Sequence, residues 1–170
     1  MGEVPAHPSM MQDTECMIPN ENIRKWFFNH EGHEDHEEKE MEKAIYQSWL
    51  KRVTYDIDTA EAMYATKRYI YAVFMCQQAI EKCFKAFMAF KGIDIIPIHN
   101  LRRLAEMSGM ASAFSKEDFK KMDFLSQYYL NARYKEDIEE LSSQITDVIV
   151  KDFLNFSKEK VQWLILKMRP

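Results

Sequence analysis

Residues 66–91, TKRYIYAVFMCQQAIEKCFKAFMAFK, are more apolar and more regular than any other part of the sequence. Their large apolar side chains recur at helical spacing: Ile70, Val73, Phe74, Ile80, Phe84, Phe87 and Met88. A second face carries small side chains, namely Ala72, Cys76, Ala79, Cys83 and Ala86. A helix that is apolar over so wide an arc is one that its neighbours surround. The stretch therefore predicts the central helix of the fold.

The middle of this predicted helix is polar. Gln78, Lys82 and Lys85 follow one another at intervals of four and three residues, so they share one face. Glu81 lies one turn before Lys85 and is expected to pair with it. Buried amides and charges are costly without partners, so the line must reach solvent, a partner chain or a ligand. Spacing alone favours a solvated stripe.

Composition favours one all-α domain. The chain has 170 residues, of which 46% are hydrophobic, and only 4 glycines and 5 prolines. Residues 1–42 hold 11 acidic and 3 basic side chains, whereas residues 43–170 hold 16 acidic and 20 basic ones, for a net charge of −4. We therefore divide the chain into an acidic N-terminal extension, 1–37, partly disordered or draped, and a mildly basic helical domain, 38–168.

The extension contains one cluster that invites a metal-site hypothesis. His30, His33 and His36 are spaced by three and have carboxylates between them. Gly32 weakens a helix there, and a solvated acidic lead-in to the first helix is the preferred interpretation. We expect neither a metal site nor a cofactor, because the sequence has no glycine-rich phosphate loop and no paired-carboxylate motif.

Four further helices follow from apolar periodicity and end signals. The first spans about 38–65, with Asp56 beside its apolar stripe and Asp58 further round, and either is able to pair with a basic group across the bundle. Thr66 is the expected cap of the central helix, and Gly92 ends it. A short helix follows His99 and Asn100, the next begins at Ser115 with a capping box to Asp118, and the last spans about 140–168. The apolar stripes of the outer three long helices are Met41, Ile45, Trp49, Val53, Ile57, Ala60 and Tyr64, then Phe119, Met122, Leu125 and Tyr129, then Leu141, Ile145, Val148, Ile149, Phe153, Phe156, Val161 and Leu164.

Short links between long helices favour an antiparallel up-and-down bundle of four long helices plus one short helix. The cysteines Cys16, Cys76 and Cys83 lack metal-ligand spacing and are interpreted as reduced thiols. No run is long and apolar enough to span a membrane, and the N-terminus lacks the features of a signal peptide. We therefore expect a cytoplasmic protein.

Three groups of residues carry a resemblance to a known family: Gln77 to Lys82 with Lys85 and Ala86, then His99 to Leu101 with Leu104, then Tyr128 with Ala132, Arg133 and Tyr134. In this order and spacing they resemble the HEPN domain of prokaryotes over about residues 45–165. The resemblance implies an up-and-down bundle that is usually a homodimer, with nucleotide or RNA in a cleft between protomers. It also implies a minimal nucleotidyltransferase as partner, for which such proteins act as toxin or binding partner. The residues expected to line the ligand or dimer cleft are Gln78, Glu81, Lys82, Lys85, His99, Tyr128, Arg133 and Tyr134.

The sequence departs from the ribonuclease branch of that family, in which a histidine follows the arginine by a few residues and no metal is used. Arg133 matches the arginine, but the histidine positions hold Ile138, Glu139 and Glu140, and no histidine follows His99. Arg24 and His30 also match the spacing, but they lie in the acidic extension, outside the bundle, and we interpret that match as chance. General acid–base cleavage needs a group that exchanges a proton near neutral pH. We therefore expect no catalytic residues.

Three functional hypotheses follow. The first is a non-catalytic dimer that binds a nucleotide or a nucleotidyltransferase partner, in a toxin–antitoxin-like pair. The second is a metal-independent ribonuclease with a non-standard site, such as Arg133 with Tyr134 and a carboxylate. The third is a structural homodimer without a ligand, in which the polar line of the central helix is satisfied across the two-fold axis.

Overall fold

The computed structural model describes residues 34–134 and 145–169, and every element in these ranges is helical. Helix α1 spans Glu34–Ala65, α2 spans Tyr69–Phe90 and the short α3 spans Leu101–Met107. A single 3₁₀ turn, Ala111–Ala113, precedes α4 at Lys116–Tyr134, and α5 covers Asp147–Leu166. The predicted four long helices and one short helix are confirmed.

Contacts between the helices define the topology. The rings of Tyr46 and Phe90 meet at one end of the α1–α2 hairpin, and those of Tyr64 and Tyr69 meet at the other. Helix α5 runs parallel to α2, since Tyr69 donates a hydrogen bond to Asp147 at the start of both helices. Helices α4 and α5 pair in opposite directions, through Lys121 with Asp152 and Lys160 with Asp118. The result is an up-down-up-down bundle, as predicted.

The two apolar faces of α2 form the centre of the core. Val73, Ile80, Phe84 and Met88 are completely buried. The small side chains on the other face are completely buried as well, namely Ala72, Cys76, Ala79, Cys83 and Ala86. The thiol of Cys83 lies 3.7 Å from the carbonyl oxygen of Val161, so this face allows α5 to approach closely. Both described cysteines are free thiols, as predicted.

Three helix ends agree with the sequence prediction. Gly92 has φ 63° after α2, which is the left-handed conformation that glycine adopts without strain. The side chain of Asn100 accepts a hydrogen bond from the amide of Arg103 at the start of α3. The Ser115 hydroxyl accepts a bond from the amide of Asp118, whose carboxylate accepts one from the amide of Ser115, so the capping box is present.

The prediction that Thr66 caps the central helix is wrong. Its hydroxyl donates to the carbonyl oxygens of Ala62 and Met63, so Thr66 completes the last turn of α1. The chain then turns through Lys67, which has φ 58°, and α2 begins after Arg68 with no side-chain cap. The turn needs a left-handed residue immediately after Thr66, which leaves the threonine on the α1 side.

Three apolar positions that we assigned to core stripes are exposed. Met41 is 48% exposed, and Val148 and Ile149 are 75% and 36% exposed. They lie near helix ends, where fewer neighbours cover a helix than in its middle. Helix α5 begins at Asp147, and Leu141 with the predicted start at 140 lies outside the described residues.

Within the described ranges, no helix is both long and apolar enough to cross a membrane. The predicted boundary at residue 37 stays a prediction, because most of the acidic extension is outside those ranges.

Candidate functional site

The polar residues in the middle of α2 form a connected cluster around the carboxylate of Glu81. Lys85 Nζ lies 2.8 Å from Glu81 Oε1, and Gln77 Nε2 lies 2.9 Å from Oε2. The ring nitrogen Nδ1 of His99 lies 3.1 Å from both oxygens. Gln77 also donates to the backbone carbonyl of His99 and accepts from Gln78. The cluster therefore ties the linker before α3 to the middle of α2.

A second ion pair joins α1 to α2 beside this cluster. Lys82 Nζ lies 2.6 Å from Asp56 Oδ2, and the Asp56 side chain is only 7% exposed. Burial raises the pKa of the Asp56 carboxyl above its usual value, although the hydrogen bond and charge of Lys82 lower it. The predicted pairing of Asp56 across the bundle is confirmed.

The interpretation of the line Gln78, Lys82 and Lys85 as a solvated stripe is wrong at Lys85, which is buried. The side chains of Glu81 and Lys85 are 4% and 9% exposed, and Gln77 is completely buried. The ammonium group of Lys85 lies 5.7 Å from the centre of the Trp49 ring of α1. Spacing placed these residues on one face, but it did not show that α1 and the linker to α3 cover that face. Only Gln78 and Lys82 remain partly exposed.

His99 is the most exposed member of the Glu81 cluster, with 45% of its side chain accessible to solvent. Its ring lies 5.3 Å from the ring of Tyr129 in α4, and Tyr129 stacks on Phe74 of α2 at 5.1 Å. Since Nδ1 faces a buried carboxylate, the exposed edge of the imidazole is the one that carries Nε2. His99 is thus the point at which the buried cluster reaches the surface.

The remaining predicted site residues lie on α4. Tyr128 is buried and its ring is stacked on Phe124, which in turn stacks on Phe153 of α5. Burial raises the pKa of Tyr128 to about 12. This side chain belongs to the α4–α5 interface, so the structure separates it from the Glu81 cluster. Arg133 and Tyr134 occupy the last turn of α4, where the side chains lie outside the described part of the chain.

Sequence reasoning missed three members of the site: Gln77, Trp49 and Tyr129. Gln77 precedes Glu81 by one turn, which was a usable signal for a hydrogen bond between them. Trp49 and Tyr129 were assigned to the core by their periodicity, and only the fold shows that their rings border the polar cluster.

Away from the Glu81 cluster, Arg102 of α3 lies 4.3 Å from the centre of the Phe119 ring and pairs with Asp123. Among the residues described, no group of three or more metal-ligating side chains is placed to hold a metal ion. His30 and His33 lie outside that part of the chain, and the side chain of His36 is not described.

The match to a known family covers most of the chain. The family model described as "HEPN domain" matches residues 46–168, which include every residue of the Glu81 cluster. The chain belongs to the HEPN family. No curated protein matches the chain.

Two solved structures share the HEPN fold of this chain. ST0689, an archaeal HEPN homologue, is 19% identical, with a TM-score of 0.57 over 73% of this chain and 98% of its own. TT1696 from Thermus thermophilus is 18% identical, with a TM-score of 0.63 over 72% of this chain and 97% of its own. At this identity the likeness concerns the fold, and it confirms the predicted HEPN-like bundle.

The Asp56–Lys82 pair of this HEPN domain generates a pH-dependent prediction. Lys82→Met leaves a buried carboxylate without its cation, and we expect a loss of about 3 kcal/mol of unfolding free energy at pH 7. A carboxyl group whose pKa is raised by folding contributes stability below its unfolded pKa, and this contribution is lost as pH rises through the folded pKa. The deficit of the variant should therefore be smallest near pH 4 and grow toward pH 7, as measured by urea unfolding.

A second substitution and a surface control complete this test. Adding Asp56→Asn to Lys82→Met should remove the growth of the deficit with pH. Lys120→Met is the matched control, because Lys120 is 75% exposed and pairs with a neighbouring glutamate on α4; we expect a change within about 0.5 kcal/mol. A deficit that stays constant between pH 4 and pH 7 would contradict the assignment.

Proposed function

We propose that the protein is a non-catalytic, dimeric HEPN module that binds a nucleotide and acts beside a nucleotidyltransferase partner, in the manner of a toxin–antitoxin pair. Family membership supports the class of function. The observation that carries the ligand part is the Glu81 cluster, in which a buried carboxylate is linked to the surface through the exposed side chain of His99.

The energetic cost of this cluster supports a binding role. Glu81, Lys85 and Gln77 are polar side chains withdrawn from water in the middle of the core helix. Removing charges from water costs several kcal/mol per ion, roughly offset by a good ion pair, so a purely apolar helix would hold the bundle together at least as well. Groups with such costs concentrate at functional sites.

Rings beside the cluster offer a surface for a base. Trp49 is partly exposed and carries the Arg52 guanidinium at 5.3 Å from its ring centre. The ring of His99 is also partly exposed, and the buried ring of Tyr129 supports it from behind. Any of the nucleobases can stack on such a ring, because every base has a π-face. This arrangement supports a mononucleotide or a short single strand as ligand.

The proposal of a dimer and of a protein partner rests on an exposed side chain of α1. Tyr55, next to Asp56 on α1, is a large aromatic side chain that is 72% exposed. It lies on the same helix as Trp49 and Arg52, so a protomer or partner that covers Tyr55 would border the site. The alternative of a structural dimer loses its premise, because Glu81, Lys82 and Lys85 all find partners within one chain.

A nucleotide panel tests the binding proposal. We expect ATP or GTP to raise the melting temperature, since a ligand at a hundredfold excess over its Kd adds about 2.7 kcal/mol of stability. Arg133→Ala should abolish the rise, His99→Gln should reduce it, and Lys120→Ala should keep it. Light scattering on the same samples should give the mass of a dimer. If no nucleotide shifts the melting temperature, the ligand part is wrong while the partner part stands.

One observation favours the ribonuclease as a second candidate. The sequence lacks the family histidine, but His99, whose Nδ1 lies against the Glu81 carboxylate, can carry a proton. Its ring contacts Tyr129 of α4, the helix that also bears Arg133. A histidine so oriented could take the proton of a ribose 2′-hydroxyl.

Labelled single-stranded RNA in chelator separates the two functions. The binding module leaves the RNA intact in both the wild type and Arg133→Ala. Cleavage by the wild type that disappears in Arg133→Ala and in His99→Gln would replace the binding module by an enzyme. If the protein is a binding module, the wild type should retain the intact RNA in a filter-binding assay of the same mixture.

A further inference from the structure

The orientation of His99 fixes the chemistry of its exposed nitrogen. Both oxygens of the Glu81 carboxylate accept hydrogen bonds, Oε1 from the ammonium group of Lys85 and Oε2 from the amide of Gln77. An ionised carboxylate cannot donate, so Nδ1 of His99, at 3.1 Å from both oxygens, carries the proton. Neutral His99 therefore presents a lone pair at Nε2, and protonated His99 presents an N–H donor there.

Protonation of His99 adds one positive charge at the exposed end of the cluster. In the described part of the chain, α2 contributes Glu81 and Lys85, and α1 contributes Asp56, which is held by Lys82. Helix α1 also contributes Arg52, whose guanidinium lies over the Trp49 ring. Helix α4 contributes the neutral ring of Tyr129. Because each carboxylate is already paired with a lysine, the imidazolium adds to the positive charge that an anion would meet there.

The lysines are not available as the first partner of an anion. Lys82 and Lys85 each hold a carboxylate, at 2.6 Å and 2.8 Å, and the side chain of Lys85 is 9% exposed. A phosphate that took either ammonium group would leave Asp56 or Glu81 buried without its cation, at a cost of several kcal/mol. His99 is 45% exposed, and it can bind an anion without breaking an existing pair.

We propose that His99 is a proton-linked phosphate site: its imidazolium Nε2–H donates to an anionic oxygen of the bound nucleotide, and Glu81 stabilises the imidazolium through Nδ1. Binding therefore takes up a proton wherever His99 of the free protein is neutral. The proton comes from solvent and stays on His99, and no covalent bond changes. This inference rests on the proposed nucleotide-binding function and assigns the group that recognises the phosphate.

The test uses a probe whose own charge does not change. A deoxydinucleotide with one phosphodiester keeps a single negative charge between about pH 5 and pH 8, the range in which histidine titrates, and it has no 2′-hydroxyl to be cleaved. Its Kd on the full chain should rise by about tenfold for each pH unit above the titration of His99, as expected for the uptake of one proton. Adenosine, which has no phosphate, should bind without this dependence.

Variants separate recognition from structural support. His99→Gln keeps an amide that can donate but cannot titrate, so its Kd should be independent of pH. Arg103→Gln is the matched control, because Arg103 lies in the short helix that follows His99, is 63% exposed and pairs with Glu106; it should keep the pH dependence. Calorimetry of the wild type in two buffers of different ionisation enthalpy measures the proton uptake directly and needs no variant.

Each result decides the matter. A Kd of the wild type that does not change with pH, or no proton uptake in calorimetry, would overturn the His99 assignment and leave nucleotide binding in place. A pH dependence that persists in His99→Gln would overturn it as well. No binding of the dinucleotide, of adenosine or of ATP at any pH would overturn both this inference and the proposed function.

Discussion

The carboxylate of Glu81 is the point on which the architecture of the site depends. It accepts hydrogen bonds from Gln77, Lys85 and His99, so that one buried acid organises two polar side chains of α2 and the linker that leads to α3. An acid in this position would be destabilising alone, and each partner offsets part of the desolvation cost. Because the partners come from two elements, the interaction also fixes where the linker crosses the central helix.

The bundle topology and this interaction support each other. The linker after Gly92 returns along α2 and places His99 beside Glu81, after which Asn100 caps α3. The amide of Leu101 donates to the hydroxyl of Ser126 in α4, which anchors the start of α3 on the neighbouring helix. His99 is therefore held between α2 and α4, close to Tyr129, in a fixed orientation rather than on a free loop.

The sequence predicted the helices and most of the core, because period and capping residues are local properties of the chain. It also predicted that Glu81 pairs with Lys85, because the two lie one helical turn apart, and that a carboxylate at the edge of the α1 stripe, such as Asp56, pairs across the bundle. It did not predict that Lys85 is buried, because burial depends on which elements cover the face, and the course of the linker is a tertiary property. Tyr128 and Tyr129 are adjacent in sequence, yet only the packing shows that one contacts Phe124 and the other His99.

The central claim is that Glu81 orients His99, and the tautomer of His99 tests it most directly. Nitrogen-15 NMR of the imidazole, assigned by comparison with His99→Gln, distinguishes a proton on Nδ1 from one on Nε2 above the titration of the ring. If Glu81 orients the ring, neutral His99 carries its proton on Nδ1, which is the less common form of a free histidine. A proton on Nε2, or rapid exchange between the two forms, would show that the Glu81 carboxylate does not hold the ring.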